Sequence, residues 1–173
     1  MTGNTHSGHR ILGRLRSADG HGVVRIEDRY DTGIDDLWSA LIDPGRLARW
    51  YGRVEGDLRL GGDFRLFVDG SGWEGAGRVE ACEPPRRLQV RTKEMTEPYE
   101  EVIEATLTPD GDQTILVIEA RGMPLDKVAF YGAGWQLHAE DLAAYLAGRP
   151  GANAEQRFGE LVPPYQDQAA GLS

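Results

Sequence analysis

LWSALIDPGRLARWY, residues 37–51, encodes two short helices in tandem and sets the order of everything around it. Ile34, Leu37, Trp38, Leu41 and Ile42 recur at helical spacing. Thr32 is the expected N-cap, and Asp35 and Asp36 stand in the first turn, where the helix dipole favours acids. Asp43-Pro44 ends this helix and starts the next, because Asp caps and Pro suits the first helical position. Leu47, Trp50 and Tyr51 then supply the apolar side of the second helix.

Outward from this pair the period changes from helix to strand. Upstream, residues 11–16 and 23–30 are strand-like runs separated by an Asp19-Gly20 turn. Val24, Ile26, Asp28 and Tyr30 share one face of the second run. Downstream, Gly61-Gly62 precedes an alternating run at 63–68, and further alternation follows at 73–81. After Pro84-Pro85, Leu88, Val90 and Thr92 alternate with Arg87, Gln89 and Arg91. In 102–108, Ile103, Ala105 and Leu107 oppose Glu104 and Thr106. A Pro109–Asp112 turn leads into the strand 114–120. A long helix is expected from about Leu125 to Leu146, with Tyr131, Trp135, His138, Ala139, Leu142 and Tyr145 on its inward face, ended by Gly148 and Pro150. Beyond it, Phe158, Leu161 and Val162 before Pro163-Pro164 predict a short helix and a loose tail. The class is α+β, with sequential antiparallel strands.

Composition narrows the function. The 173 residues carry 19 Lys+Arg against 28 Asp+Glu, a formal charge of −9, and most of the excess acid lies in the second half. With scattered arginines and no basic patch, nucleic acid is not an expected partner. No apolar run is long enough for membrane insertion, and the first residues lack the apolar stretch of a secretory signal, so a cytoplasmic protein is expected. A lone Cys82 beside Glu83 supports neither a disulfide framework nor a nucleophile. Gly70-Ser71-Gly72-Trp73-Glu74-Gly75 matches the dinucleotide fingerprint, yet a strand follows where a helix is needed, so it is a turn. His6, His9 and His21 show no ligand spacing; neither a metal site nor a cofactor is expected. His138 is set apart by its apolar helix face, either as a ligand contact or as a core histidine bonded to a backbone carbonyl or to Asp28. The acidic run Glu94, Glu97, Glu100, Glu101 and Glu104 lacks a calcium-loop pattern and is expected along a solvated strand edge. No serine-nucleophile motif or paired carboxylates stand out, so no catalytic residue is assigned.

Leu37-Trp38-x-Ala40-Leu41, Asp43-Pro44-x-x-Leu47-x-x-Trp50-Tyr51 and Gly61-Gly62-x-Phe64 together resemble one family, and Glu83–Leu88, Thr114–Ile118 and Gly134-Trp135 agree. The chain resembles the activator-of-heat-shock-protein-90-ATPase-homologue-like branch of the START/polyketide-cyclase superfamily. That resemblance implies a helix-grip (START/Bet v-like) fold over 23–148, in which a curved antiparallel sheet wraps a long C-terminal helix. Residues 1–22 would be an extension with an added strand, and 149–173 an extension with a short helix. The resemblance further implies a cavity between sheet and helix, with Trp50, Tyr51, Phe64, Leu66, Trp73, Tyr131, Trp135, His138 and Leu142 at or near it. Its expected occupant is a hydrophobic small molecule or lipid. The alternatives are a cyclase- or lyase-like enzyme using His138, and a homodimeric interaction or stress-related protein with a filled cavity. Ile115 and Val117, apolar on the outer parity of their strand, would suit that last reading. The chaperone-activating group carries an additional N-terminal domain for which this chain has no room, so direct chaperone activation is not expected.

Overall fold

The tandem helices form α1 (Ile34–Ile42) and α2 (Pro44–Trp50) in a computed structural model that describes residues 10–68 and 70–172. Asp43 caps α2 by accepting the Gly45 N–H at 3.1 Å. Thr32 does not cap α1. Gly33 occupies that position, and the Thr32 hydroxyl donates to Asp36 at 2.7 Å. His6 and His9 lie outside the described residues.

Eight antiparallel strands make one sheet: β1 (Gly13–Ala18), β2 (His21–Tyr30), β3 (Arg53–Gly56), β4 (Asp63–Val68), β5 (Trp73–Glu83), β6 (Arg87–Glu94), β7 (Glu100–Asp110) and β8 (Gln113–Pro124), in the order β1-β2-β8-β7-β6-β5-β4-β3. The Gly70–Gly72 segment is the turn between β4 and β5, with Gly72 at φ +72°. Strand β3 is not legible in the sequence. Its four residues offer only Val54 between charged neighbours, too little alternation to register.

A 3-10 turn (Leu125–Lys127) leads into the long helix α3 (Val128–Leu146), which lies against the sheet. Its inner side carries Trp135, Ala139 and Leu142, all buried with Val24, Ile26, Leu116 and Ile118 of the sheet. The fold is therefore the helix-grip arrangement, sheet on one side and long helix on the other.

The C-terminal segment corrects one expectation. Instead of a short helix and loose tail, α4 (Ala154–Ala169) runs for 16 residues, straight through Pro163 and Pro164. Prolines at these positions deprive the carbonyls of Gly159 and Glu160 of their helical donors. Both residues are exposed, so water can take those carbonyls. Arg157, Leu161 and Tyr165, one turn apart, are all buried on the opposite side of the helix and hold it in register. Tertiary packing outweighs local propensity here.

Tyr165 is the centre of that packing. A side chain on Gly13 or Gly132 would put its Cβ 2.5 Å and 2.8 Å from Tyr165 atoms, so both glycines clear room for the ring. The Tyr165 hydroxyl accepts the Gly13 N–H at 2.8 Å and donates to Gln136 at 2.6 Å. Gln168 accepts the Leu15 N–H at 2.9 Å and donates to the Gly13 carbonyl at 3.0 Å. The free edge of β1 is thus covered by side chains of α4.

Candidate functional site

Two hollows lie between the sheet and α3. The larger, about 210 Å³, is walled by β4 and β5 through Leu66, Val68 and Trp73, and by β6 and β7 through Thr92, Glu101 and Ile103. Helix α3 closes it with Tyr131, Trp135 and His138, and Tyr51 enters from the end of α2. Phe130, 47% exposed, and Phe158 of α4 also border it. A smaller, almost wholly apolar hollow of about 90 Å³ adjoins it, lined by Trp50, Phe64, Leu47 and Leu88 among others. Tyr51, Leu66, Thr92, Ile103 and Trp135 border both.

Of the nine residues expected near a cavity, Tyr51, Leu66, Trp73, Tyr131, Trp135 and His138 line the larger hollow, and Trp50 and Phe64 the smaller. Leu142 lines neither and is completely buried in the core. Trp50 is anchored by its indole N–H, which donates to the Ala40 carbonyl at 3.0 Å. Next to it, Tyr51 stacks on Trp135 with centroids 5.8 Å apart and meets the His138 ring edge-on at 4.6 Å. These contacts fix the imidazole between two aromatic neighbours.

His138 has neither expected partner. Its Nδ1 is sealed from solvent and has no hydrogen bond. Asp28 instead accepts from Arg10 at 3.2 Å and from the Arg29 N–H at 2.8 Å. Burial without a counter-charge pushes the imidazole down to about 4, so the ring is neutral at physiological pH. The Thr92 hydroxyl, 2% exposed, is likewise buried without a partner.

Glu101 corrects a second expectation. Strand β7 is interior, between β6 and β8, and its acids do not lie along a solvated edge. Glu104 pairs with Arg87 at 2.5 Å on the outer face, and Glu97 accepts from Lys127 at 2.8 Å. Glu101 is buried, 5% exposed, and faces the larger hollow. Burial raises its carboxyl to about 7, opposed by the neighbouring Tyr131 hydroxyl and reinforced by the charge of Glu94. Tyr131 in turn shares a 2.6 Å hydrogen bond with Tyr99. The signal for Glu101 was available. It has the parity of Ile103, Ala105 and Leu107, and it sits directly opposite Thr92 in the β6–β7 register.

The hollow therefore combines an apolar, aromatic lining with a polar end built from the cross-strand pair Thr92 and Glu101 with Tyr131 beside Glu101, and His138 borders the same space from α3. Among the described residues no cluster of three His, Cys, Asp or Glu side chains suits a metal ion, and no helix is long and apolar enough to cross a membrane. Ile115 and Val117 lie half-buried on the outer side of β8.

Comparison with known proteins places this architecture. The chain is similar to the crystal structure of CalU16 from Micromonospora echinospora, with 28% identity and a TM-score of 0.75 over 91% of this chain and 95% of that one. It is also similar to DynU16, a protein in the dynemicin biosynthetic locus, at 30% identity and a TM-score of 0.69, covering 79% of this chain and 51% of DynU16. An HSP90 activator from Plasmodium falciparum, PFC0360w, shares the fold at 22% identity and a TM-score of 0.52, over 60% of this chain and 74% of that one. No curated protein matches. The family described as Activator of Hsp90 ATPase homolog 1-like protein matches residues 31–147, from the strand–helix junction before α1 to the end of α3, and the chain belongs to that family.

Proposed function

We propose that this protein binds an apolar small molecule carrying a polar group, in the larger hollow between sheet and α3. The observation that carries the reading is the pair of unpartnered buried polar atoms, Thr92 Oγ1 and His138 Nδ1, bordering the same apolar space as Glu101. Each such orphan costs roughly 1–3 kcal/mol in a folded protein, which folding alone gives no reason to keep. A ligand with matching donors and acceptors removes that cost, and small-molecule sites have this build of apolar walls with a few placed polar groups. The likeness to DynU16, from a biosynthetic locus, supports a small-molecule role over a filled core.

Native mass spectrometry of freshly purified protein, with solvent extraction of any adduct, is the direct test. A stoichiometric adduct recovered unchanged supports binding. One converted on incubation with the wild type but not with His138→Ala supports the cyclase- or lyase-like reading. For a defined probe, NMR titration with 3-phenylpropan-1-ol should show His138→Ala weakening affinity by several-fold, while Asp112→Ala on the exposed β7–β8 turn leaves it unchanged. Equal affinities in both variants would remove His138 from the site.

A further inference from the structure

We propose that the larger hollow recognises an apolar amine, held as its ammonium ion by Glu101 inside a ring of aromatic side chains. The inference rests on the binding reading above and names the ligand class. It starts from a charge imbalance: Glu101 is the one carboxyl among the described residues lining the hollow, and no Lys or Arg lines it. Several acids on the same sheet have a cation, whereas neither Glu101 nor half-buried Glu94 of β6 has an ion pair among the described residues. Glu104 has Arg87, Glu119 has Arg16 and Arg121, and Glu80 has Arg91. Lys127, the cation on the turn before α3, is engaged by Glu97 at 2.8 Å and does not border the hollow. Tyr131 gives Glu101 a hydroxyl but no charge; a buried carboxylate without a counter-charge is costly, and an incoming cation relieves it.

The surroundings favour a positive charge. Tyr51, Trp73, Phe130, Tyr131, Trp135 and Phe158 border the hollow, and aromatic faces attract ammonium groups through their quadrupoles. The neutral His138 ring offers a lone pair and brings no competing charge. Thr92 Oγ1, directly across the β6–β7 ladder from Glu101, adds a second unoccupied acceptor, so an ammonium with three donors finds partners that an alcohol uses only in part. An anionic ligand meets the reverse: a carboxyl at the polar end and no cation to receive it.

The groups around Glu101 also set the pH response. Glu94 of β6 raises it, Tyr131 of α3 opposes that rise, and Tyr51 and Tyr99, themselves raised, stay neutral. Glu101 is therefore the group that changes charge near neutrality, and amine affinity should climb as pH rises from 5 to 8.

Calorimetric titration of the full chain at pH 8 with 3-phenylpropylamine, 3-phenylpropan-1-ol and 3-phenylpropionate separates the outcomes. The amine should bind about tenfold or more tightly than the alcohol, a gap of roughly 1.4 kcal/mol, and the carboxylate weakest. In Glu101→Gln the amine advantage should collapse while alcohol binding persists. A wild-type series at pH 5 should show the same collapse without any substitution, since the amine stays charged throughout. Equal binding of amine and alcohol at pH 8, or an amine preference that survives in Glu101→Gln, overturns the amine assignment and leaves the binding site standing. Binding of none of the three probes overturns both.

Discussion

Helix α3 buries polar groups on two sides, and the two sides are treated oppositely. Toward β1 and α4, Gln136 accepts the Leu12 N–H at 2.9 Å and the Tyr165 hydroxyl at 2.6 Å, and donates to the Arg10 carbonyl at 2.7 Å and to Glu140 at 3.0 Å. Glu140 is itself held by Arg157 through two bonds of 2.8 and 2.7 Å. On the side facing the hollow, two residues along the helix, His138 Nδ1 has no partner, the Thr92 hydroxyl bordering the same space has none either, and Glu101 has the Tyr131 hydroxyl but no cation. A satisfied network of this kind locks an interface. Unsatisfied groups around a cavity are a cost that makes sense as part of a site. The contrast separates residues that hold the fold from residues free to do something else.

The largest effect should come from breaking the satisfied side. Gln136→Leu leaves the Leu12 N–H, the Arg10 carbonyl and the Tyr165 hydroxyl short of a partner, and should cost about 3–4 kcal/mol. Urea denaturation measures it; a loss under 1 kcal/mol would mean that the network adds little. Probe binding in the hollow should hardly change in the folded fraction.

A comparable effect, dependent on pH, belongs to the other side. Glu101 rises from 4.5 to about 7 on folding, so the folded state keeps a proton that the unfolded state has released, and stability falls as pH climbs through that window. His138 drops from 6.5 to about 4, so its contribution runs the other way: stability is present above 6.5 and lost as pH falls toward 4. Each spans roughly 3 kcal/mol at full extent, and between about pH 4.5 and 6.5 they oppose each other. Glu101→Gln should unmask the histidine, giving a stability that rises with pH across that interval relative to the wild type. Parallel wild-type and variant profiles would show that Glu101 titrates as an ordinary surface acid.

The smallest effect sharpens the contrast most. Thr92→Val replaces an unpartnered hydroxyl by a methyl of similar shape, so it should be neutral or stabilising by up to about 1 kcal/mol. The same change should weaken 3-phenylpropylamine. Thermal melts that fall by several degrees would show that the hydroxyl has a structural partner after all.

Much of this arrangement could be read from the chain, and the failures have physical causes. The tandem helices announce themselves because capping and periodicity agree at Asp43-Pro44. Thr92 fell on the inward side by simple alternation, and Glu101 shares the phase of Ile103, Ala105 and Leu107. Its membership of an acidic run masked that phase, since local charge density speaks for solvent while parity speaks for the core. The two prolines of α4 argue locally against a helix, while Tyr165, which anchors it, is bonded in part to Gly13, more than a hundred residues away. Gln136 carries no signal of its own, since its partners come together only once α4 covers the helix. The orphan state of His138 is a three-dimensional property, because no spacing reveals that a ring has nothing to bond.

The cover over β1 has a consequence for life in a crowded solution. An eight-stranded open sheet has two margins. One, β3, is four residues long and carries Arg53 and Glu55, which discourages a visiting strand. The other, β1, is the longer and would offer the outward amides of Gly13 and Leu15 as a template for a neighbouring chain. Tyr165 and Gln168 occupy those groups, with the Gln168 amide reproducing the donor and acceptor of a missing ninth strand. The two ends of the chain thereby guard each other against runaway sheet extension, and α4 serves colloidal stability as much as folding.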